Sequence, residues 1–131
     1  MGIAPIHEQV EVKGTRPSGE SFCFSCDAGV ASIIKKLNET GATTTYSCES
    51  TGSENTPYIM FKVPSKVVLS ECIKTLKKEY LDRYSIVINA TKTGSVSVYC
   101  TNNKTFLRSW FSKLVKVSGL IVIIPKKGEQ L

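Results

Sequence analysis

Three stretches of this chain combine residue types that could do chemistry. The first is Cys23-Phe24-Ser25-Cys26, a C-x-x-C pair of the kind that supplies half of many zinc sites, because two thiolates held close together can share one tetrahedral ion. The other half would have to come from Cys48 and His7, the only histidine, giving a Cys3His set with an unusual spacing. The alternative is a pair of reduced, unliganded cysteines beside a helix start. The second stretch runs from Thr43 to Ser53 and is dense in hydroxyls, with one thiol, Cys48, and one carboxylate, Glu49. Small hydroxyl residues and glycine suit a loop that offers amides and hydroxyls to a polar ligand. They equally suit a solvated connection. The third is a helical pattern after Asn103, whose polar half carries Lys104, Thr105, Arg108, Ser109, Ser112, Lys113 and Lys116 without an acid. Cations interleaved with hydroxyls are what a phosphate-binding face requires.

Charge supports the third reading. The chain has 131 residues and a formal net charge of +6. From Arg83 to Gly128, 46 residues, there is no Asp or Glu and there are eight cations, whereas the first 82 residues carry nine Lys/Arg against ten Asp/Glu. The excess charge therefore lies in the C-terminal part, and a one-signed surface attracts anions: nucleic acid, nucleotides or acidic membrane. Exposed tyrosines could add base stacking, the candidates being Tyr46, Tyr58, Tyr84 and Tyr99, each on a strand where a core role is equally open. Enzyme templates fail: there is no G-x-S-x-G, P-loop, G-x-G-x-x-G or H-E-x-x-H.

The elements that must position these residues read as follows. The size suits a single domain over 1–131, with an arm at 1–22 and a globular core at 23–131. A short strand is expected at Gln9 to Lys13. Asp27 is expected to cap a helix running to Thr40, with Val30, Ile33, Ile34 and Leu37 on its apolar stripe and Gly41 as its stop. Strands follow at Thr43–Cys48 and Tyr58–Val63, with a loop at 49–56 between them. Pro64 and Ser65 open a second helix with Leu69, Cys72, Ile73, Leu76 and Tyr80 on one face. Tyr84–Asn89 and Ser95–Thr101 form a hairpin, and the third helix turns Leu107, Trp110, Phe111 and Leu114 inward. Leu120–Ile124 reads as a strand buried on both faces. The expected fold is α+β: a two-layer, mostly antiparallel sheet covered by about three helices, with an α-β-β module recurring at 27–63 and 65–101.

Leu37-Asn38-x-x-Gly41-x-x-Thr44-x-x-Ser47-Cys48, followed by Tyr58-Ile59-x-Phe61 and preceded by the C-x-x-C, resembles small uncharacterised phage and bacterial proteins over about residues 23–61. Those proteins often continue S-C with Gly and His, where this chain has Glu49-Ser50-Thr51. Thr44-x-x-Ser47-Cys48 alone is similar to part of the S-S-C-S-G signature of a wybutosine tRNA-modification family, a match too short to carry an activity. The first resemblance implies a phage context, in which small proteins act against host defence, some by sequestering nucleotide signals.

The sequence thus points to a small non-enzymatic protein that binds a phosphate-bearing ligand (a nucleotide, a cyclic oligonucleotide signal or a nucleic acid). Lys104, Arg108 and Lys116 would hold the anion, and Thr45, Ser47, Cys48 and Tyr58 the loop side of a pocket. The alternatives are a nucleotide- or RNA-modifying enzyme centred on Cys48 and Glu49, and an inhibitor that binds a host protein. No cofactor is expected unless zinc binds the cysteines. The N-terminus lacks a signal-peptide pattern and no stretch has the roughly 20 apolar residues of a membrane span, so a cytoplasmic protein is expected, with a homodimer as the default assembly.

Overall fold

A computed structural model of the protein describes residues 8–51, 56–113 and 119–129. Within them the chain forms seven strands and three α-helices: β1 (Gln9–Thr15), β2 (Ser21–Asp27), α1 (Ala31–Thr40), β3 (Thr43–Thr51), β4 (Thr56–Lys62), α2 (Lys66–Tyr80), β5 (Ser85–Ala90), β6 (Ser95–Thr101), α3 (Lys104–Ser109) and β7 (Leu120–Ile124). The protein is α+β. A five-stranded antiparallel sheet has the order β3-β4-β6-β5-β7, and β1 and β2 form a separate antiparallel ribbon.

The α-β-β module does recur in the topology. α1-β3-β4 and α2-β5-β6 each place a helix before a hairpin, and the two hairpins join through β4 and β6. Alternation along the strands then sorts side chains to two faces. Ile59 and Phe61 of β4, Ile86 and Ile88 of β5, and Val98 and Cys100 of β6 share one core with Ile33, Ile34 and Leu37 of α1 and Cys72, Leu76 and Tyr80 of α2. Each large aliphatic side chain buried there contributes roughly 1.5–3 kcal/mol. A smaller cluster of Val87, Leu107 and Trp110, with Tyr99, Phe106, Ile121 and Ile123 against it, lies on the opposite face. The helices therefore do not all cover the same side: α1 and α2 back one face and α3 covers part of the other.

Of the expected arm, residues 1–7 lie outside the described residues, and the strand expected at Gln9 to Lys13 is present as β1, which pairs with β2 to form the ribbon. Val12 and Phe22 are buried in the main core, and Arg16 reaches from the ribbon into α1, its Nη2 donating to Asn38 Oδ1 at 2.9 Å. Asp27 is not a side-chain helix cap. It ends β2, is buried, and accepts hydrogen bonds from Gln9 Nε2 and from the Glu49 amide, the latter at 2.9 Å.

The motif Leu37-Asn38-x-x-Gly41-x-x-Thr44 holds this junction together. Leu37 and Asn38 are fully buried. Asn38 Nδ2 donates to the Ile34 carbonyl at 2.8 Å and to Thr44 Oγ1 at 2.7 Å. Gly41, at φ +121°, ends the helix in a backbone shape that suits glycine, and its amide bonds back to the Asn38 carbonyl. The residues behind the resemblance thus pin α1 to β3.

Two further expectations are corrected. Phe111 is not inward but 45 % exposed, because α3 ends at Ser109 and the chain tightens into a 3-10 turn over Phe111–Lys113. β7 is not buried on both faces. Among the described residues it pairs only with β5, as an edge strand, and Leu120 is 48 % exposed. Among the described residues no helix is long and apolar enough to cross a membrane.

Candidate nucleic-acid interface

The sheet face opposite α1 and α2 carries an aromatic file. Register fixes it: Cys48 of β3 pairs with Tyr58 of β4, Tyr58 with Tyr99 of β6, Tyr99 with Val87 of β5, and Val87 with Ile123 of β7. Register partners in a sheet share a face, so one row crosses all five strands. A second row runs Tyr46, Met60, Ser97, Asn89, Ile121. None of these positions is an acid. Ring centroids step from Tyr46 to Tyr58 at 5.9 Å, Tyr58 to Tyr99 at 4.9 Å and Tyr99 to Trp110 at 5.2 Å, within the range of favourable aromatic contacts.

The file grades from wet to dry. Tyr46 is 54 % exposed, Tyr58 and Tyr99 are half-buried, and Trp110 is buried under α3. Burial and a hydroxyl hydrogen bond with Tyr58 hold the Tyr99 phenol above its usual range. α3 is set at the dry end by its cap: Asn103 Oδ1 accepts from the Phe106 amide at 3.0 Å. Leu107, Trp110 and Phe106 then face the sheet, while Lys104 and Arg108 stand exposed one turn apart. Lys113 sits with Nζ 4.3 Å from the Trp110 ring centroid, a cation–π contact that carries positive charge onto the aromatic file. The Trp110 Nε1 is buried and meets no acceptor among the described residues.

The candidate residues read from sequence are distributed as follows. Cys48 and Tyr58 come together as register partners. Ser47 pairs with Ile59 and belongs to the opposite face, and Thr45 is the extra residue of a bulge between Thr44 and Tyr46. The loop-side set of Thr45, Ser47, Cys48 and Tyr58 is therefore split between faces. Lys104 and Arg108 are where the helical wheel put them, but Lys113 leaves the wheel for Trp110, and Lys116 lies outside the described residues. Tyr84 packs on Tyr80, beneath Arg83, away from the file.

The cysteine site is also separated. Cys23 and Cys26 lie on a strand, not at a helix start, and three residues apart on a strand means opposite faces: Cys23 is exposed and Cys26 buried. His7 lies outside the described residues. Among the described residues no group of three or more His, Cys, Asp or Glu side chains could hold a metal ion. Cys48 and Glu49 likewise point to opposite faces of β3, and Glu49 Oε2 accepts from the Gly29 amide at 2.6 Å. A side chain on Gly29 would collide with that carboxylate.

The sequence named Tyr46, Tyr58 and Tyr99 singly but could not group them, because strand register is set by pairing that no local pattern reveals. The available signal was the alternation Tyr46-x-Cys48, Tyr58-x-Met60 and Ser97-x-Tyr99. Compared with protein-family models, curated proteins and solved structures, the chain matches none.

Proposed function

We propose that this is a non-enzymatic binding protein for a phosphate-bearing ligand, and that the ligand is a single strand of nucleic acid laid across the tyrosine file. The observation that carries the reading is the file itself: Tyr46, Tyr58 and Tyr99 on one acid-free sheet face, ending at a tryptophan with a lysine over it. Aromatic rings on an open sheet stack unpaired bases, and each stacked base is worth roughly 1–3 kcal/mol by alanine substitution. Lys104, Arg108 and Lys113 flank the dry end and supply phosphate contacts. In this reading the domain is two-layered in its working sense, with α1 and α2 as backing and the opposite face as the binding surface. The resemblance to phage proteins makes sequestration of a host strand or signal the fitting biological role, in the host cytoplasm.

Fluorescence anisotropy with labelled oligo-dT and oligo-rU at low salt tests the proposal. Single strands are expected to bind better than a duplex of equal length. Tyr46→Ala and Tyr58→Ala are expected to weaken binding roughly tenfold each, and Tyr58→Phe to preserve it. Equal binding of duplex and single strand, or full affinity in folded Tyr46→Ala and Tyr58→Ala variants, would discard the tyrosine face as the site.

A further inference from the structure

Away from the tyrosines, a cleft of about 890 Å³ opens between α2 and the turn of the β5-β6 hairpin. Its rim carries four lysines: Lys66, Lys74 and Lys77 from α2, and Lys92 from the hairpin turn. No acid lines it. The nearby Glu71 pairs with Lys74 at 3.2 Å and leaves the other three lysines to the cleft. Its floor is aliphatic, formed by Val63, Leu69, Ile73 and Leu120, and Ser70, Thr91 and Thr93 add hydroxyls.

The walls are fixed before any ligand arrives. Gly94, at φ +87°, presses against the end of β4: a Cβ there would lie 2.6 Å from the Val63 carbonyl oxygen, and the Val63 amide donates to the Gly94 carbonyl at 2.9 Å. Gly119 approaches the Ala90 carbonyl as closely. Ser65 caps α2 by accepting from the Val68 amide at 3.2 Å, and the first turn of this 15-residue helix contains no acid. The positive end of the helix dipole therefore adds to the lysines.

A lysine rim over an aliphatic floor calls for a ligand with a multiply charged anionic end and a flat, weakly polar body. A cleft of this size exceeds what a phosphate chain alone would fill and suits a whole nucleotide. We infer that the cleft is a second, independent site that takes a nucleoside polyphosphate. The phosphate chain lies among Lys66, Lys92 and the start of α2, and the base lies on Leu69, Ile73 and Leu120. Lysine suits this task as a compact point charge that follows a flexible phosphate chain.

Isothermal titration with ATP at low ionic strength, paired with amide chemical-shift mapping, tests the site. Saturable one-to-one binding is expected, with the shifts concentrated at Leu69, Ser70, Thr91 and Gly94. Lys66→Glu combined with Lys92→Glu, both exposed positions, is expected to weaken ATP at least tenfold, while Tyr58→Ala leaves it unchanged. Inorganic tripolyphosphate is expected to bind more weakly than ATP because it forgoes the floor. Tripolyphosphate binding as tightly as ATP would overturn the assignment of a nucleotide. Shifts centred on Tyr58, Tyr99 and Lys113, unaltered ATP affinity in the double variant, or no saturable binding would overturn the site. Loss of oligonucleotide binding in Tyr58→Ala alongside intact ATP binding separates this cleft from the tyrosine face.

Discussion

Tyr58 touches a ring on either side, Tyr46 at 5.9 Å and Tyr99 at 4.9 Å between centroids, and its register partner on β3 is Cys48. That neighbour gives the face a chemical reporter. No disulfide joins the five cysteines, and their surroundings differ sharply. Cys23 is exposed; burial and, for Cys72, the charge of Glu71 push the Cys72 and Cys100 thiols up to about 12 from an ordinary 9.0. Cys26 is raised by burial and by Asp27. Because the thiolate is the reactive form, a maleimide at neutral pH is expected to modify Cys23 first, Cys48 more slowly, and Cys72 and Cys100 only after denaturation. A bound oligonucleotide is expected to slow modification of Cys48 and not of Cys23, read by mass spectrometry of the peptides. Equal rates at Cys48 with and without oligonucleotide would count against the tyrosine face. These contrasts are only half legible in the chain. Cys72, placed by its spacing on an apolar stripe, is buried as that stripe implies. Cys23-x-x-Cys26 reads as a pair only until the segment is known to be a strand, and the turn-rich 14–19 region hides that strand.

At the scale of elements, the junction of ribbon, α1 and β3 rests on one buried amide. Asn38 donates to the Ile34 carbonyl and Thr44 and accepts from Arg16, so it joins three elements that local sequence treats separately. Asn38→Ala removes the donor to the Thr44 hydroxyl and one of three partners of the Arg16 guanidinium, which keeps Glu20 and the Ala42 carbonyl, at an expected cost of about 1–3 kcal/mol, measured as a lower urea midpoint with an unchanged slope. Gly94→Ala is expected to destabilise by about 1–3 kcal/mol, since the added methyl meets a backbone carbonyl at 2.6 Å on a positive-φ residue. A thermal melt no lower than that of the parent would contradict the close docking of this turn. Helices α1 and α2, the β5-β6 hairpin and the recurring α-β-β module were all legible, because apolar spacing and cap residues encode them locally. The order β3-β4-β6-β5-β7, the edge position of β7 and the early end of α3 were not. Five apolar residues in a row specify a strand, not its neighbours, and the short α3 gives way to the packing of Trp110 against Tyr99.

Across the whole molecule, the acid-free stretch from Arg83 to Gly128 does not form one patch. Folding sends Lys104, Arg108 and Lys113 to the end of the tyrosine face and Lys92 to the cleft, where the α2 lysines join it, while Lys127 lies 3.9 Å from Asp82. Charge that reads as a single block in sequence therefore acts at separate places. Counterion release makes this measurable. Neutralising phosphates of a single strand lowers the logarithm of affinity by about 0.7 per contact for each tenfold rise in salt. Three contacts, from Lys104, Arg108 and Lys113, set an expected slope of about −2. Reversing all three to Glu should bring that slope close to zero and remove most of the affinity, with the fold intact because all three side chains are exposed apart from the Lys113 contact to Trp110. Reversing Lys66 and Lys92 changes the net charge of the molecule by four, yet the slope for the oligonucleotide should stay near −2, since short-range contacts and not the distant field set it. A slope that falls equally in both variants would mean that the strand reaches both surfaces, and the division into a tyrosine face and a separate nucleotide cleft would have to be abandoned.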